Sequence, residues 1–470
     1  MASASSRDLD PAFMYRCCLK KKLLLVCGIV ISLAFFNNTA TFARAQSNSK
    51  LSPAPISSKS TFKSFWGNID THWGGRLKTA GVSSRVTDDT IFAPVGTGTY
   101  YDGSANLRLI NETFFTDFLY FEADYELLWV GGDSIRKQKQ LESLLPALKR
   151  RTFLPGTPLN DDRRFLDLTD TIKEEDSWFL LQRLDRLFVD INGQWGAVRI
   201  GRQAVTWGGG FVFNPMDLFN PFAPTAIDRD YKIGDDMVNV QLQIPNIGNF
   251  QGLYVARRNP ENHEIQSNQN SAAGKLHFSA GNTEFDLMGA RHYKDEVAGI
   301  GSTGYLGNTA WRLDGTWTFR HDGDNYLSIV ANMDYSWVWF GKNIYGFIEY
   351  YFNGLGENDY GKALTDPAIF ERLARGELFV LGRNYLSGHL EIELHPLLKV
   401  SLTAINNLKD PSGVLQPYAT WDITQNLQLT GGLNFYWGDR GSEYGGFTLP
   451  GTDIRSKTPD SAYLWLIYYF

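Results

Sequence analysis

The chain reads as all-β, a transmembrane antiparallel up-and-down β-barrel of about 18 strands, and three observations predict it. Apolar and polar residues alternate with period two through one segment after another, as strands do when one face meets lipid and the other water. Beyond one N-terminal run, no stretch approaches the roughly 18–20 apolar residues that a spanning helix needs. Aromatics make up 14% of 470 residues and glycines number 45, yet mean hydropathy is slightly polar at −0.26, as expected of a barrel with a wet interior and aromatic girdles.

The N-terminus carries Lys20, Lys21 and Lys22, then the apolar run Leu23 to Phe36, then Ala43-Arg44-Ala45. A basic region, an apolar region and a small-x-small cleavage site make a secretory signal. The expected domains are a removed signal over 1–45, with Met14 as the natural start, a flexible Ser/Pro/Lys-rich periplasmic lead over 46–65, and a barrel over 66–470. Cys17, Cys18 and Cys27 all fall in the signal, so the mature chain has no disulfide or thiolate chemistry. Removing the signal takes six of 45 basic and two of 51 acidic residues and leaves a net charge of −10. An acidic chain lacks the basic footprint of a nucleic-acid binder.

Strands are predicted at 66–78, 102–112, 117–130, 179–192, 195–204, 236–244, 249–258, 273–280, 283–293, 297–305, 309–320, 325–337, 343–352, 383–394, 397–407, 414–422, 427–438 and 461–470. In the third, Leu119, Phe121, Ala123, Tyr125, Leu127 and Trp129 alternate with Glu122, Asp124 and Glu126. The tenth, EVAGIGSTGYL, is weakly patterned and enters by parity: with it, every connection after an even-numbered strand is short, as periplasmic turns are. Sixteen strands is the alternative. The last strand places Leu464, Leu466, Tyr468 and Phe470 on one face. An apolar stripe ending in a C-terminal aromatic resembles the insertion signal of bacterial outer-membrane barrels, which implies recognition of Phe470 by the barrel-assembly machinery.

Long connections are expected outside, at 79–101, 131–178, 205–235, 353–382 and 439–460. The second is highly charged; within it QLESLLPALKRR suits a short helix, and Arg150, Arg151, Arg163 and Arg164 suit either a solvated loop or an anionic ligand. The third begins TWGGGFVFNPMDLFNPFAPT. So many aromatics and prolines need a surface to cover, and the nearest is the lumen wall. Residues 205–235 are therefore expected to fold inward and narrow the pore, through Trp207, Gly208, Gly209, Gly210, Asn214, Pro215, Asp217, Phe219, Asn220 and Pro221, the glycines serving positive φ or close approach. No phosphate-loop or dinucleotide motif accompanies these glycines. Asp228, Asp230, Asp235 and Asp236 lack EF-hand spacing and suit a solvated or Arg-paired turn; no metal or cofactor is assigned.

Arg199, Gly201, Arg202, Gln203, Trp207-Gly208, Asn214-Pro215, Asp217 and Phe219-Asn220-Pro221 together resemble the signature of proteobacterial outer-membrane barrels similar to the alginate-export porins. The resemblance covers about residues 195–237, with loose support from EYYFNGLG at Glu349–Gly356. It implies a diffusion channel.

By alternation the lumen receives Arg108, Arg199, Lys275, Arg312, Arg320 and Lys399, and of the other sign Glu122, Asp124, Glu126, Asp314, Glu349, Glu391 and Glu393. Facing rows of opposite charge would set up a transverse field. Arg202 has outward parity, which a bulge or an interfacial position would explain. The function expected is passive diffusion or export of small hydrophilic solutes, anionic or saccharide, by a monomer or trimer set among outer-membrane lipid and lipopolysaccharide. The alternative is a non-conducting or gated surface protein for polysaccharide assembly or ligand binding. Seven histidines and the absence of GxSxG and HExxH give no support to an enzyme.

Overall fold

The computed structural model describes residues 69–144, 160–227 and 231–470. The expected signal, the lead, and Arg150, Arg151, Asp228 and Asp230 lie outside them.

The strands are β1 Asp70–Val86, β2 Gly98–Thr116, β3 Leu119–Gly132, β4 Thr169–Glu174, β5 Trp178–Gly193, β6 Gly196–Gln203, β7 Asp235–Ile244, β8 Gly248–Val255, β9 Ser271–Ala280, β10 Thr283–His292, β11 Asp295–Leu306, β12 Thr309–Phe319, β13 Tyr326–Trp339, β14 Lys342–Asn353, β15 Asn384–His395, β16 Leu398–Asn407, β17 Ser412–Thr424, β18 Leu427–Trp437 and β19 Asp460–Tyr469. All but β4 form one closed antiparallel wall: β3 pairs with β5, and β1 pairs with both β2 and β19. That makes an 18-strand barrel, and every predicted strand is present. Closure matters because an open edge of unpaired backbone groups cannot be left in lipid.

Side chains sort by parity as the sequence requires. Leu464, Leu466, Tyr468 and Phe470 are exposed on the outer face, with Leu313, Trp317, Met333 and Tyr335 further round. Inward partners such as Asp124, Asp314 and Asn332 are buried. Phe470 closes the seam, its N–H donating to Gly75 O at 3.0 Å and its carbonyl accepting from Gly75 N–H at 2.8 Å.

The structure departs from the expected strands in two places, and bears out one weakly patterned strand. β1 and β2 run on as a tall hairpin, so the first outer connection shrinks from 79–101 to 87–97. Residues 79–86, TAGVSSRV, carry little apolar alternation; their strand form comes from pairing with β2 on one side and β19 on the other. β11 is a full wall strand despite its weak pattern, because Gly299 and Gly301 sit where a neighbour crosses them. A Cβ there would lie 2.8 Å from Met288 Cε and 2.7 Å from Asp314 Oδ1, respectively, with Met216 next to each at 3.5 and 3.3 Å. The second departure is β4, a strand from a charged loop that the pattern did not predict.

β4 fills a gap. β6 stops at Gln203, where the chain turns into the lumen, leaving the upper half of β5 without a partner on that side. β4 takes the place, pairing Thr169 to Glu174 with Arg183 to Phe179. Helix α1, Asp133–Leu144, includes the first residues of the expected helical stretch and packs Ile135 against Phe179 and Leu181. Helices α2, Tyr360–Thr365, and α3, Pro367–Arg375, fold the loop after β14 over the mouth, each N-capped by an aspartate, Asp359 and Asp366.

Candidate functional site: the segment inside the barrel

Residues 204–227 leave β6 and cross the barrel interior, and 231–234 lead into β7. Trp207 is 2% exposed, and with Val205, Met216 and Phe219 it forms a dry core against the inward faces of β7 to β11 through Met237, Leu253, Ala273, Met288 and Val297. Full burial of such side chains is worth about 1.5–3 kcal/mol each. Val212 and Phe213 form a second core against Val330, Tyr351, Tyr385 and Ile405 on β13 to β16, with the Phe213 and Tyr351 rings stacked at 4.5 Å.

Between the two cores the backbone hydrogen-bonds to wall carboxylates. Asp314 Oδ2 accepts from Gly209 N–H at 2.5 Å. Glu349, 1% exposed, accepts from Phe211, Val212 and Phe213 N–H at 2.6, 3.0 and 2.8 Å and from Asn332 Nδ2 at 3.2 Å. Trp207 Nε1 donates to Gln251 at 2.7 Å, and Asn214 Nδ2 to Trp207 O at 2.8 Å. A Cβ on Gly209 would sit 2.8 Å from Arg312 Cδ, and one on Gly210 1.8 Å from Phe213 O, while Gly208 has φ +86°. Lys232 Nζ joins the segment's two ends, bonding Asp217 Oδ1 at 2.5 Å and Val205 O at 2.6 Å. Phe219 packs edge-on to Trp207. Asn220, at φ +52°, donates to Ile233 O. Pro215 and Pro221 face the space between the segment and β11 to β14.

The segment also reaches the far wall: Gln416 on β17 donates to Thr225 O at 3.1 Å, and the Tyr231 ring lies between the Arg76 and Arg108 guanidiniums, 4.3 and 4.1 Å away. Tyr231, Gln416, Gln251, Asn332 and Lys232 were not singled out in the sequence. An isolated amide or tyrosine has no pattern that says which face it meets.

The inward charges pair locally, and the expected facing rows do not form. Arg108 bonds Asp124 at 3.2 Å and Asp185 at 3.0 Å, and Arg183 bonds Glu126. Arg199 bonds Asp190, Lys275 lies 3.3 Å from Asp286, Arg312 2.6 Å from Asp334 and Lys399 3.0 Å from Glu391. Glu122 accepts from Tyr120, Glu393 from Asn343, and Arg320 falls one residue past β12 in the outer connection. Each partner stands on a neighbouring strand or at a bulge, so the fields cancel across a few ångströms. Exposure separates two zones. Arg108, Asp124 and Glu126 are 2–4% exposed, whereas Arg312 and Asp334 are 22% and 19%, and Lys399 and Glu391, near the periplasmic turns, 46% and 28%. The pairs on β12–β13 and β15–β16 are thus the more open ones.

Arg202 does have outward parity, yet it is 1% exposed. The cover is the segment 160–168, which lies over it from outside. Its guanidinium bonds Asp236 at 2.9 Å, Asp161 at 3.0 Å and Leu166 O at 2.7 Å. Arg164 bonds Asp161 at 2.6 Å and Gly234 O at 3.1 Å, so it is a clamp within the protein and not a ligand for an external anion. Asp235 and Asp236 are held by Arg257 and Arg202. Burial pushes the Asp161 carboxyl up, but Arg202 and Arg164 outweigh it and hold its pKa at about 2.

No family model matches the chain, and no curated protein matches it. Solved structures do. It is similar to Acinetobacter baumannii OccAB4, with TM-score 0.50 and 9% identity over 85% of this chain and 98% of that one. It is also similar to Pseudomonas aeruginosa OccK8 (OprE), at 0.47 and 8% over 85% and 98%, and to a BenF-like porin from Pseudomonas fluorescens Pf-5, at 0.46 and 11% over 85% and 98%. The narrower resemblance to alginate-export porins is not shown by these matches. At 9% identity the likeness to OccAB4 is one of fold, and the chain is a closed 18-strand antiparallel β-barrel of the kind that outer-membrane porins share.

Proposed function

We propose that the protein is an outer-membrane channel for passive diffusion of small hydrophilic solutes, narrowed at mid-height by residues 205–235. The observation that carries this reading is the segment's position. Its backbone is held by Asp314 and Glu349 on the wall, in a barrel whose charge pairs on β12–β13 and β15–β16 are the more open ones. Because opposite charges sit side by side, the channel is weakly ion-selective, with a small reversal potential under a salt gradient. The same reading places the barrel among lipid and lipopolysaccharide and gives Phe470 to the assembly machinery before the seam closes.

A gated or closed barrel is the second reading, favoured by the contacts that carry the segment from β8 across to β17, β1 and β2. Planar-bilayer conductance of the purified protein, beside a variant lacking 208–224, decides. Steady conductance that grows in the deletion supports the constricted channel. A silent wild type with a conducting deletion makes the segment a plug, and two folded but silent proteins end the channel reading.

A further inference from the structure

Behind the inward segment, against β12 to β14 and beneath the loop after β14, lies a cavity of about 110 Å³. One water needs roughly 10–15 Å³ on this measure, so there is room for a small organic solute. Thr316 and Thr318 line it at 3% and 4% exposure. Both hydroxyls are without a hydrogen-bond partner among the described residues; other unpartnered inward hydroxyls, Ser387 Oγ and Tyr463 OH, lie away from this cavity. Ser328 beside them shares its hydroxyl with Tyr351.

Every charge on the cavity is already matched. Asp217 is paired with Lys232 at 2.5 Å, His292 with Glu377 at 3.0 Å, and Asp295 with Arg372. An ionic ligand would enter without a counter-charge and lose its hydration. The remaining lining is apolar and aromatic, with the Phe213–Tyr351 stack, Phe222 and Phe379. A few placed hydroxyls in an apolar, aromatic pocket fix the orientation of a ligand that has both C–H faces and O–H groups.

We infer that this cavity is a binding site for a small uncharged polyhydroxylated solute, a polyol or a single sugar ring, held by the hydroxyls of Thr316 and Thr318. The inference deepens the channel reading and rests on it only for how the solute arrives.

The test is saturation-transfer NMR titration of the purified, heat-modifiable barrel with sorbitol, glucose and gluconate. Expected are saturable binding of sorbitol or glucose, gluconate at least tenfold weaker, a tenfold or greater loss in Thr316→Val/Thr318→Val, and retention in Thr316→Ser/Thr318→Ser. The site is overturned if neither neutral solute saturates (a cavity for water only), if gluconate binds as tightly, or if the double valine variant, folded, binds like the wild type. Should the valine variant fail to fold, the serine variant decides, since loss of binding there overturns the site. A protein that conducts but does not bind loses the site alone; one that binds but does not conduct keeps the site and loses the channel.

Discussion

Replacing Glu349 with alanine should release the centre of the inward segment. The carboxylate accepts from three consecutive backbone N–H groups and from Asn332, all shut away from water. Buried hydrogen bonds to a charged group are worth about 1.5–3 kcal/mol each. Taking the low end for the three backbone donors, and allowing that neighbouring bonds do not add fully, the loss is roughly 4 kcal/mol. At about 1.4 kcal/mol per decade, the amides of 211–213 should exchange with deuterium about a thousandfold faster, while those of β13 and β14 keep their protection. Glu349→Gln keeps one acceptor oxygen but turns an amide group toward two donors, so an intermediate, roughly tenfold effect is expected. Exchange in Glu349→Ala within threefold of wild type, in a correctly folded barrel, would refute the claim that this carboxylate anchors the segment.

Three other outcomes follow from the wall and its outer cover. At Gly201, φ is +127° and a Cβ would lie 2.2 Å from Leu187 O; Gly201→Ala should cost about 2–3 kcal/mol, read as a lower unfolding midpoint in urea. Arg202→Lys keeps the charge but cannot reach Asp236, Asp161 and Leu166 O at once, so cleavage within 160–168 by added protease should speed up at least tenfold. Acid should do the same to the wild type. The Asp161 pKa, about 2, is depressed below the ordinary 3.8, so its contribution is present above roughly pH 4 and lost as pH falls through about 2. That difference is worth roughly 2–3 kcal/mol, and pepsin cleavage of 160–168 should rise between pH 4 and pH 2, not between pH 7 and pH 5.

The wall was legible in the sequence because lipid and water impose opposite demands on alternate residues. Seventeen of the eighteen wall strands follow from that rule; β11, with its bland pattern, follows instead from the alternation of short and long connections. The contacts that Trp207 and Phe213 make with wall side chains have a related reason: these rings have no stable place in water. Parity gives the side a residue faces and not its partner. Thus Arg108, Arg312 and Lys399 were placed inward, but their pairing with Asp124, Asp334 and Glu391 depends on strand register. β4 and the cover over Arg202 were illegible because TDTIKE and NDDRRF look like solvated loop; they take form only where β6 leaves a vacancy.

That vacancy orders events in time. β4 has nothing to dock on until β5 is in place, and Arg202 cannot grip Asp161 until β6 and β7 have brought Asp236 beside it. The circle of strands can therefore be complete while one stretch of its upper rim is still bare. The segment 160–174 is then a keystone for that stretch of rim, supplied by a part of the chain that precedes in sequence the opening it fills.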